Sequence, residues 1–332
     1  MTGRTVTGAP ARVGTMWLAL VTVYLVWGST YLAIRVVVRT APPLLAMGVR
    51  FLVAGVLLAG VIALRSGPRR LAVDRRVLAG SALVGLLLLL GGNGLVAVAE
   101  KTVPSGLAAL VVASTPLWLV VLRLAVARER VARLSLLGTA LGFAGIAALV
   151  LPGGLTGPHG TPVRVAGLLV VVAAAASWAL GSFVSSRVPM PADAFVATTW
   201  EMLAGGVGLV LAAAASGELQ DFHVGDVSGH AWFALAYLVV VGSIVAFSAY
   251  VWLLANAPIS LTATYAYVNP VVAVALGALL LAEPVSGAVL VGGAVVVAGV
   301  GLVVSSERPR RPPAPTECGP VEDGPEVVDL RS

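Results

Sequence analysis

The chain has 332 residues, of which 59% are hydrophobic and only 11% charged, and its mean hydropathy is +1.00. An ordinary soluble domain is roughly 45–50% apolar and about 25% charged, so this composition excludes a soluble fold. The formal charge is +6, but the arginines stand in short segments between apolar runs rather than on one face, which argues against nucleic acid as a partner.

Ten apolar runs follow one another along the chain, and each is long enough to cross a hydrocarbon core of about 30 Å as a helix. They lie near 15–35, 41–64, 77–98, 103–122 and 134–151, and then near 165–186, 192–215, 231–254, 257–281 and 285–304. The sequence therefore predicts an all-α membrane protein of ten transmembrane helices. The first run lacks a signal-peptide cleavage motif and is interpreted as a retained helix.

The organisation predicted from these runs is two halves of five helices, 15–151 and 165–304. A segment at 1–14 precedes them, a Gly/Pro-rich connector at 152–164 joins them, and a Pro-rich charged tail at 305–332 follows. The tail has no hydrophobic periodicity and is predicted to be disordered.

The positive charges predict the orientation of the chain. One set of loops and both termini are rich in arginine, whereas the opposite helix ends hold only Arg35, Arg39, Lys101 and Arg164. Because Lys and Arg accumulate on the cytoplasmic side, both termini are predicted to be cytoplasmic. The arginine-rich, Ala/Gly/Val-rich composition is typical of a high-G+C bacterium, so the predicted location is a bacterial inner membrane.

The two halves resemble each other in sequence. Pro104 and Pro258, Pro116 and Pro270, and Glu129 and Glu283 are pairs of identical residues separated by 154 positions. Trp27 and Trp178 are separated by 151 positions, as are the non-identical Arg50 and Glu201. Since each half makes five crossings, an odd number, the second half enters the membrane from the opposite side. This predicts the inverted repeat of secondary transporters, which opens a central site to each face in turn.

Several stretches resemble those of a known family. They are Trp27-Gly28-Ser29, Ser105 to Ala109 leading to Pro116, Trp178 to Ser182, Trp200 to Gly206, Asn269-Pro270 and Ala282-Glu283-Pro284, with paired glycines at Gly138, Gly145, Gly292 and Gly299. The order of these motifs along the chain, and their recurrence in both halves, resemble the EamA-type ten-helix permeases of the drug/metabolite transporter superfamily. The resemblance covers roughly 17–304. The resemblance implies export of amino acids, other metabolites or drugs.

Two prolines stand near the middle of their predicted helices, Pro116 in the fourth and Pro270 in the ninth. A proline inside a helix frees the carbonyl four residues earlier, here those of Val112 and Ala266. Such carbonyls are tolerated at membrane depth when they line a wet cavity or are buried in protein. The prolines therefore either line a binding site or form packing kinks satisfied by neighbours such as Thr115.

Polar and aromatic residues near these prolines are the candidate substrate-binding set, because a small-ligand pocket typically has apolar walls with a few hydrogen-bonding groups. Aromatic residues equally form belts at the membrane interface, so both interpretations stand. The candidates are Tyr24, Trp27, Tyr31, Asn93, Trp178, Ser182, Tyr250, Thr262, Tyr265 and Asn269, with Pro116 and Pro270.

Arg50 and Glu201 are the ionisable residues well inside predicted spans. Each costs roughly 2.5–3.5 kcal/mol if left facing lipid, so both are expected to face the protein interior. They are predicted either to pair with each other or to bracket a zwitterionic substrate. The alternatives are structural hydrogen bonding and, for Arg50, snorkelling. Glu129 and Glu283 stand at helix ends and are interpreted as capping residues.

The predicted function is secondary transport, most consistent with export of small polar metabolites such as amino acids. A membrane-embedded enzyme acting on a lipid-linked substrate would need an intramembrane acid/base set, and no aspartate or histidine lies well inside a predicted span. A nucleotide-sugar or sugar-phosphate carrier would need several cationic residues in its cavity, and Arg50 is alone. No cofactor or metal site is expected. The expected partners are a small-molecule substrate and the lipid bilayer, and a homodimer is one possible assembly.

Overall fold

The structure is a computed structural model that describes residues 13–150, 164–220, 222–257, 261 and 264–306. Nearly all of the predicted 1–14 segment, 152–163 of the connector, Thr262, Pro258 and 307–332 of the tail lie outside the described residues. All regular secondary structure in these described ranges is helical.

The described part of the chain forms ten helices. In the first half they are α1 (Val13–Val37), α2 (Pro43–Ser66), α3 (Arg75–Ala99), α4 (Ser105–Ala125) and α5 (Arg133–Val150). In the second half they are α6 (Val165–Ser185), α7 (Ala194–Ala215), α8 (Gly229–Tyr237 continuing through Leu238–Val245 and Ala246–Asn256), α9 (Tyr265–Leu281) and α10 (Gly287–Ser306). Eight are long and apolar enough to span a membrane, and α5 and α9 are shorter apolar helices.

The observed helix ends lie within three residues of the predicted ones, with one exception. The ninth span was predicted to begin at 257, whereas the described α9 begins at Tyr265. Residues 258–260 and 262–263 lie outside the described part, so the path of the chain into α9 is not described. The predicted start of the tail, 305, is two residues too early, because α10 continues to Ser306.

Helices α2 and α7, which occupy the same place in the two halves, pack together and run antiparallel. A Cβ on Gly48 would lie 2.7 Å from Val210, and one on Gly55 would lie 3.0 Å from Leu203. Moving seven residues forward on α2 therefore moves seven residues backward on α7. Antiparallel packing of equivalent helices is what an inverted repeat requires.

Helices α5 and α10 form the second contact between equivalent helices, and glycines bring their backbones together. A Cβ on Gly299 would lie 2.5 Å from the amide nitrogen of Gly142 and 2.7 Å from the carbonyl oxygen of Gly138. These two glycines are the G-x-x-x-G pair of α5, and small residues at this spacing permit close packing of membrane helices.

Other large contacts also cross between the halves. Helix α1 packs against α8 and α9, and α6 packs against α3 and α4 in the corresponding way. Long apolar side chains such as Leu64, Leu279 and Phe233 point outward and are exposed, as expected for a surface that faces lipid. The buried apolar side chains form two large clusters, one around α2 and α7 and one around α4, α5 and α10.

Two helices contain π-helical stretches at matching positions, Leu86–Gly94 in α3 and Leu238–Val245 in α8. Their starts are 152 residues apart and their ends 151 apart. The wider turn of a π-helix is rare and accompanies functional sites. The turns after α4 and α9 also match, because Arg128 and Ala282 both have a left-handed backbone, with φ of 52° and 50°.

Candidate functional site

A cavity lies where the first half meets the second, between α1, α4 and α9. The space between its lining atoms is about 260 Å³, part of it open to the surroundings. The residues that line it are Tyr31, Ala109, Val112, Ala113, Tyr265, Ala266, Asn269 and Pro270.

The lining includes Val112 and Ala266, the two residues whose carbonyls the prolines were predicted to free. Helix α4 is interrupted here, because Ser105–Val112 and Thr115–Ala125 are separate helical pieces and Pro116 stands at the start of the second. The Thr115 hydroxyl donates to the Val112 carbonyl at 2.7 Å, so the freed carbonyl has a partner. For Pro116 the structure therefore shows a kink that is satisfied locally; Val112 lines the cavity, whereas Pro116 itself is not among the lining residues.

Pro270 produces no comparable interruption, because α9 continues through it as one helix. Asn269, which precedes it, is buried, and its side-chain amide lies 3.2 Å from the carbonyl of Tyr265 and 3.3 Å from that of Tyr24. With its nitrogen turned toward them, the amide donates to both carbonyls. The amide oxygen then stays available to accept a hydrogen bond from a molecule in the cavity.

Three aromatic rings form an aromatic cluster beside the cavity, Trp27 of α1, Tyr250 of α8 and Tyr265 of α9. The ring centroid of Trp27 lies 5.0 Å from that of Tyr250 and 5.2 Å from that of Tyr265, and the two tyrosines are 5.8 Å apart. Tyr24 adds a hydroxyl hydrogen bond to Thr264. These rings contact one another inside the bundle rather than forming a belt at its edge.

Arg50 is buried, with 5% of its surface exposed, and is not among the residues that line the cavity. Its Nε donates to the Ser243 hydroxyl of α8 at 3.0 Å. Ser243 belongs to the π-helical stretch, and a Cβ on neighbouring Gly242 would meet both Arg50 and Thr30. The alternative of structural hydrogen bonding is therefore what the structure shows for Arg50.

The predicted direct pairing of Arg50 with Glu201 is not present. In the described part of the chain the carboxylate of Glu201 makes no hydrogen bond and no ion pair. The register of α2 against α7 explains this result, because Gly48 opposite Val210 and Gly55 opposite Leu203 put Glu201 opposite residue 57. Seven residues separate that level from Arg50, which is roughly 10 Å along a helix.

The remaining candidates, Asn93, Trp178 and Ser182, stand apart from the cavity. Trp178 of α6 packs against α3, where a Cβ on Gly92 would lie 2.7 Å from its ring. Ser182 donates to the carbonyl of Trp178 at 2.9 Å and is thereby engaged within its own helix. Asn93 is half-buried in the π-helical stretch of α3. The structure thus brings together Tyr31, Tyr265, Asn269 and Pro270, with Trp27 and Tyr250 adjacent.

Sequence reasoning missed the small residues of the cavity, Ala109 and Ala113. They stand four positions apart, so they lie on one face of α4 above its interruption. Small residues on a helix face ahead of a kink are the signal that could have identified them. The partner of Arg50, Ser243, was also missed, because nothing in the sequence fixes which side of α8 faces α2.

Comparison with known proteins adds the family. The EamA-like transporter family matches the chain twice, over 14–151 and 165–305. The chain is similar to the uncharacterized inner membrane transporter YedA of Escherichia coli K12, at 42% identity over 86% of this chain and 89% of that protein. It is also similar to the probable amino-acid metabolite efflux pump of Salmonella typhimurium LT2, at 29% identity over 89% of this chain and 96% of that protein.

A solved crystal structure shares the fold, with a TM-score of 0.59 and 23% identity over 90% of this chain and 99% of the other. The two family matches leave 152–164 between them.

Proposed function

Because the chain belongs to the EamA-like transporter family, we propose that this membrane transporter exports small polar metabolites, amino acids or close relatives, by alternating access. The observation that carries the proposal is the cavity of about 260 Å³ between α4 of the first half and α9 of the second. A site between two halves can be exposed to either side when the halves rock against each other.

The chemistry of the lining favours a small polar molecule. Tyr31, Tyr265 and Asn269 supply two phenol hydroxyls and an amide, and the other lining residues are apolar. This combination of apolar wall and few polar groups orients a small ligand. The similarity to a relative named as an amino-acid metabolite efflux pump supports the same substrate class.

The lining also argues against the rival carrier of nucleotide sugars or sugar phosphates. Among the described residues that line the cavity, none is an arginine or a lysine. Phosphate recognition relies on such side chains, Arg above all, for charge-assisted hydrogen bonds. Arg50, the nearest candidate, already donates to Ser243.

The experiment is a metabolite comparison between medium and cytosol in cells that lack or overproduce the protein. Overproduction is expected to raise one or a few amino-acid-like compounds in the medium and lower them in the cytosol. Replacement of Asn269 by Leu removes the amide at nearly constant volume and should reduce that export several-fold. Tyr31→Phe and Tyr265→Phe should each reduce it as well.

Tyr267→Phe is the matched control, since Tyr267 stands on the same helix but donates to the Val300 carbonyl at 3.3 Å, away from the cavity. All variants are compared at equal amounts of protein in the membrane. Export that survives Asn269→Leu, Tyr31→Phe and Tyr265→Phe unchanged would remove the cavity from the transport path. A nucleotide sugar as the exported compound would establish the rival carrier.

A further inference from the structure

One carboxyl group is buried without a partner. Glu100 follows the last residue of α3, and its exposed fraction is 0%. Among the described residues, neither of its carboxyl oxygens has a hydrogen-bond partner. An ionised carboxylate in such a place costs several kcal/mol, and buried polar groups are nearly always hydrogen-bonded, so this exception requires an explanation.

The charges around Glu100 come from α1 and from the turn between α9 and α10. The Glu100 carboxyl interacts electrostatically with Glu283 of that turn and with Arg35 of α1. It also interacts electrostatically with Tyr31, one turn before Arg35 on α1. The Nε of Arg35 is likewise buried, and the described residues offer it no hydrogen-bond partner. Arg39, which acts on Arg35, is exposed.

The other elements that pack here add no facing charge. Helix α6, which packs on the last turn of α3, contains no titratable residue in Val165–Ser185, and Arg164 before it is exposed. Lys101 is exposed, and Arg50 of α2 is turned to Ser243. Arg35, which is half-buried and has a buried Nε, is therefore the one cation set against two carboxyl groups in this part of the described structure.

Glu283 differs from Glu100 in having its hydrogen bonds complete. Its carboxylate accepts from the Ser105 amide at 2.9 Å, from the Ser105 hydroxyl at 3.0 Å and from the Gly106 amide at 3.2 Å. This is an N-terminal cap on α4 supplied by the other half of the molecule. Glu283 thus has three donors from α4, whereas Glu100 has none among the described residues, so a charge on Glu100 would lie unpaired near a second carboxyl group.

Burial and these neighbouring charges also decide the direction in which the pKa of Glu100 is shifted. Glu100 lies outside the membrane-spanning helices, directly after the last residue of α3. Burial raises the pKa of its carboxyl well above the ordinary value, repulsion by Glu283 raises the pKa further, and Arg35 lowers it in part. A group with a raised pKa in the closed, folded state holds its proton more firmly there than in water. Closure is then favoured at low pH and is weakened as the pH rises.

We propose that Glu100 is a proton-binding site that couples proton movement to opening of this end of the bundle. The carboxyl is protonated while the Glu283 cap on Ser105 holds the two halves together. When the cap separates and water enters, the O–H bond breaks, the proton passes to water, and the carboxylate that forms faces Arg35. This proposal rests on the proposed transport function and names the coupling ion that would drive it.

The sequence of the second half does not repeat the acid of Glu100. The turns around Glu129 and Glu283 are alike, because the amide of each bonds to the carbonyl six residues earlier, Arg123 at 2.9 Å and Gly277 at 3.0 Å. By the same offset of 154 residues, the position that corresponds to Glu100 in the sequence is Leu254.

The direct test is infrared difference spectroscopy of the purified full-length protein in lipid, as the pH is raised. The C=O stretch of a protonated carboxylic acid is separate from the bands of a carboxylate. Because Glu201 is a second partly buried carboxyl group, the spectra are recorded in a Glu201→Gln background, and there we expect a protonated-acid band that is lost at high pH and is absent when Glu100→Gln is added. Glutamine is an uncharged mimic of the protonated acid, so this variant is expected to fold.

Glu218→Gln is the matched control, because Glu218 caps α2 by accepting from the Leu45 amide at 3.0 Å and resembles Glu283 in role. Its spectrum should keep the band. A band that persists when Glu100→Gln is added, or the lack of one in the Glu201→Gln background, overturns the proposal.

A second measurement reports opening and needs no transported compound. In a protein whose native Cys318 is replaced by Ser, Leu107→Cys places a thiol beside the cap, where Leu107 is 3% exposed. Its labelling by a membrane-impermeant maleimide, divided by that of the exposed Val285→Cys, should rise several-fold with pH. Glu100→Gln should hold the low value throughout.

A ratio that rises equally in Glu100→Gln would contradict coupling. If the band and the labelling behave as expected while no metabolite is exported, the proposed function fails and the proton site stands. If export is found while both readouts ignore Glu100, the proton site fails alone.

Discussion

The Nε of Arg50 on α2 donates to the hydroxyl of Ser243 on α8 at 3.0 Å, and this contact replaces the ion pair with Glu201 that charge and sequence symmetry suggest. A buried guanidinium is thereby held by a neutral hydroxyl from the other half. The contact ties α2 of the first half to the π-helical stretch of α8 of the second half, so it has to shift or break if the two halves rock against each other as units.

The first prediction concerns this contact. Ser243→Ala leaves a buried donor unsatisfied and is expected to lower the free energy of unfolding by about 1–3 kcal/mol. The Arg50→Ala/Ser243→Ala double variant should lose clearly less than the sum of the single losses, because both changes remove one interaction. The measurement is a double-mutant cycle on thermal stability in detergent.

Arg50→Ala combined with Glu201→Gln is the comparison cycle. Because the two side chains stand at levels roughly 10 Å apart, their effects should add within about 0.5 kcal/mol. Strong coupling in this cycle, with none between Arg50 and Ser243, would restore the ion pair and refute the hydrogen bond.

The second prediction compares the two glutamates of the repeated turn. Glu283→Ala removes three hydrogen bonds from a buried cap and is expected to cost about 2 kcal/mol of stability. Glu129 is 40% exposed and pairs with Arg123 at 2.7 Å and Arg187 at 3.4 Å, so Glu129→Ala should cost less than about 1 kcal/mol. Melting temperatures of the two variants, measured side by side, give the ranking, and a reversed order would contradict the capping role.

The third prediction uses two glycines of α10. A Cβ at Gly299 would lie 2.5 Å from the Gly142 backbone, so Gly299→Ala should force α5 and α10 apart and destabilise the protein by roughly 1–3 kcal/mol. At Gly301 a Cβ would meet nothing within 4 Å. Gly301→Ala should therefore be neutral or stabilising by up to about 1 kcal/mol. Equal effects of the two changes would show that the α5–α10 contact is looser than described.

Part of this architecture is predictable from the sequence for a physical reason. Each apolar run must hide its backbone polar groups in a helix, so ten runs predict ten helices with little dependence on how they pack. The glycines of α5 were predictable in the same way, since G-x-x-x-G spacing indicates close packing wherever the partner lies. The residues of the aromatic cluster, Trp27, Tyr250 and Tyr265, were among the candidates picked out from the sequence, although the sequence does not predict how their rings pack.

What escaped prediction depends on rotation and register between helices far apart in sequence. Arg50 and Glu201 are equivalent by sequence offset, yet the antiparallel register of α2 and α7 sets them seven residues apart in level. The π-helical stretches of α3 and α8 are built from ordinary Leu, Val and Gly, with no local signal of the wider turn. Both features are decided by tertiary packing rather than by any residue's own preference.

The fourth prediction is the orientation of the chain. With native Cys318 replaced by Ser, a cysteine at Gly157 should react with an impermeant maleimide from outside the cell, and one at Arg70 only after the membrane is opened. The arginine-rich ends are expected inside because positive residues are retained there. Labelling of both positions from the same side would refute the five-plus-five scheme.

The matching π-helical stretches of α3 and α8, and the matching left-handed residues Arg128 and Ala282, also bear on the history of the chain. Irregularities that occupy the same place in both copies are most economically inherited from one source. A five-helix ancestor that carried the wide turn and the left-handed bend is the simplest common source of both halves. The sequences of the halves differ at Glu100 and Leu254, 154 residues apart, so one chain can carry an acid in one half alone, which an assembly of two identical copies could not do.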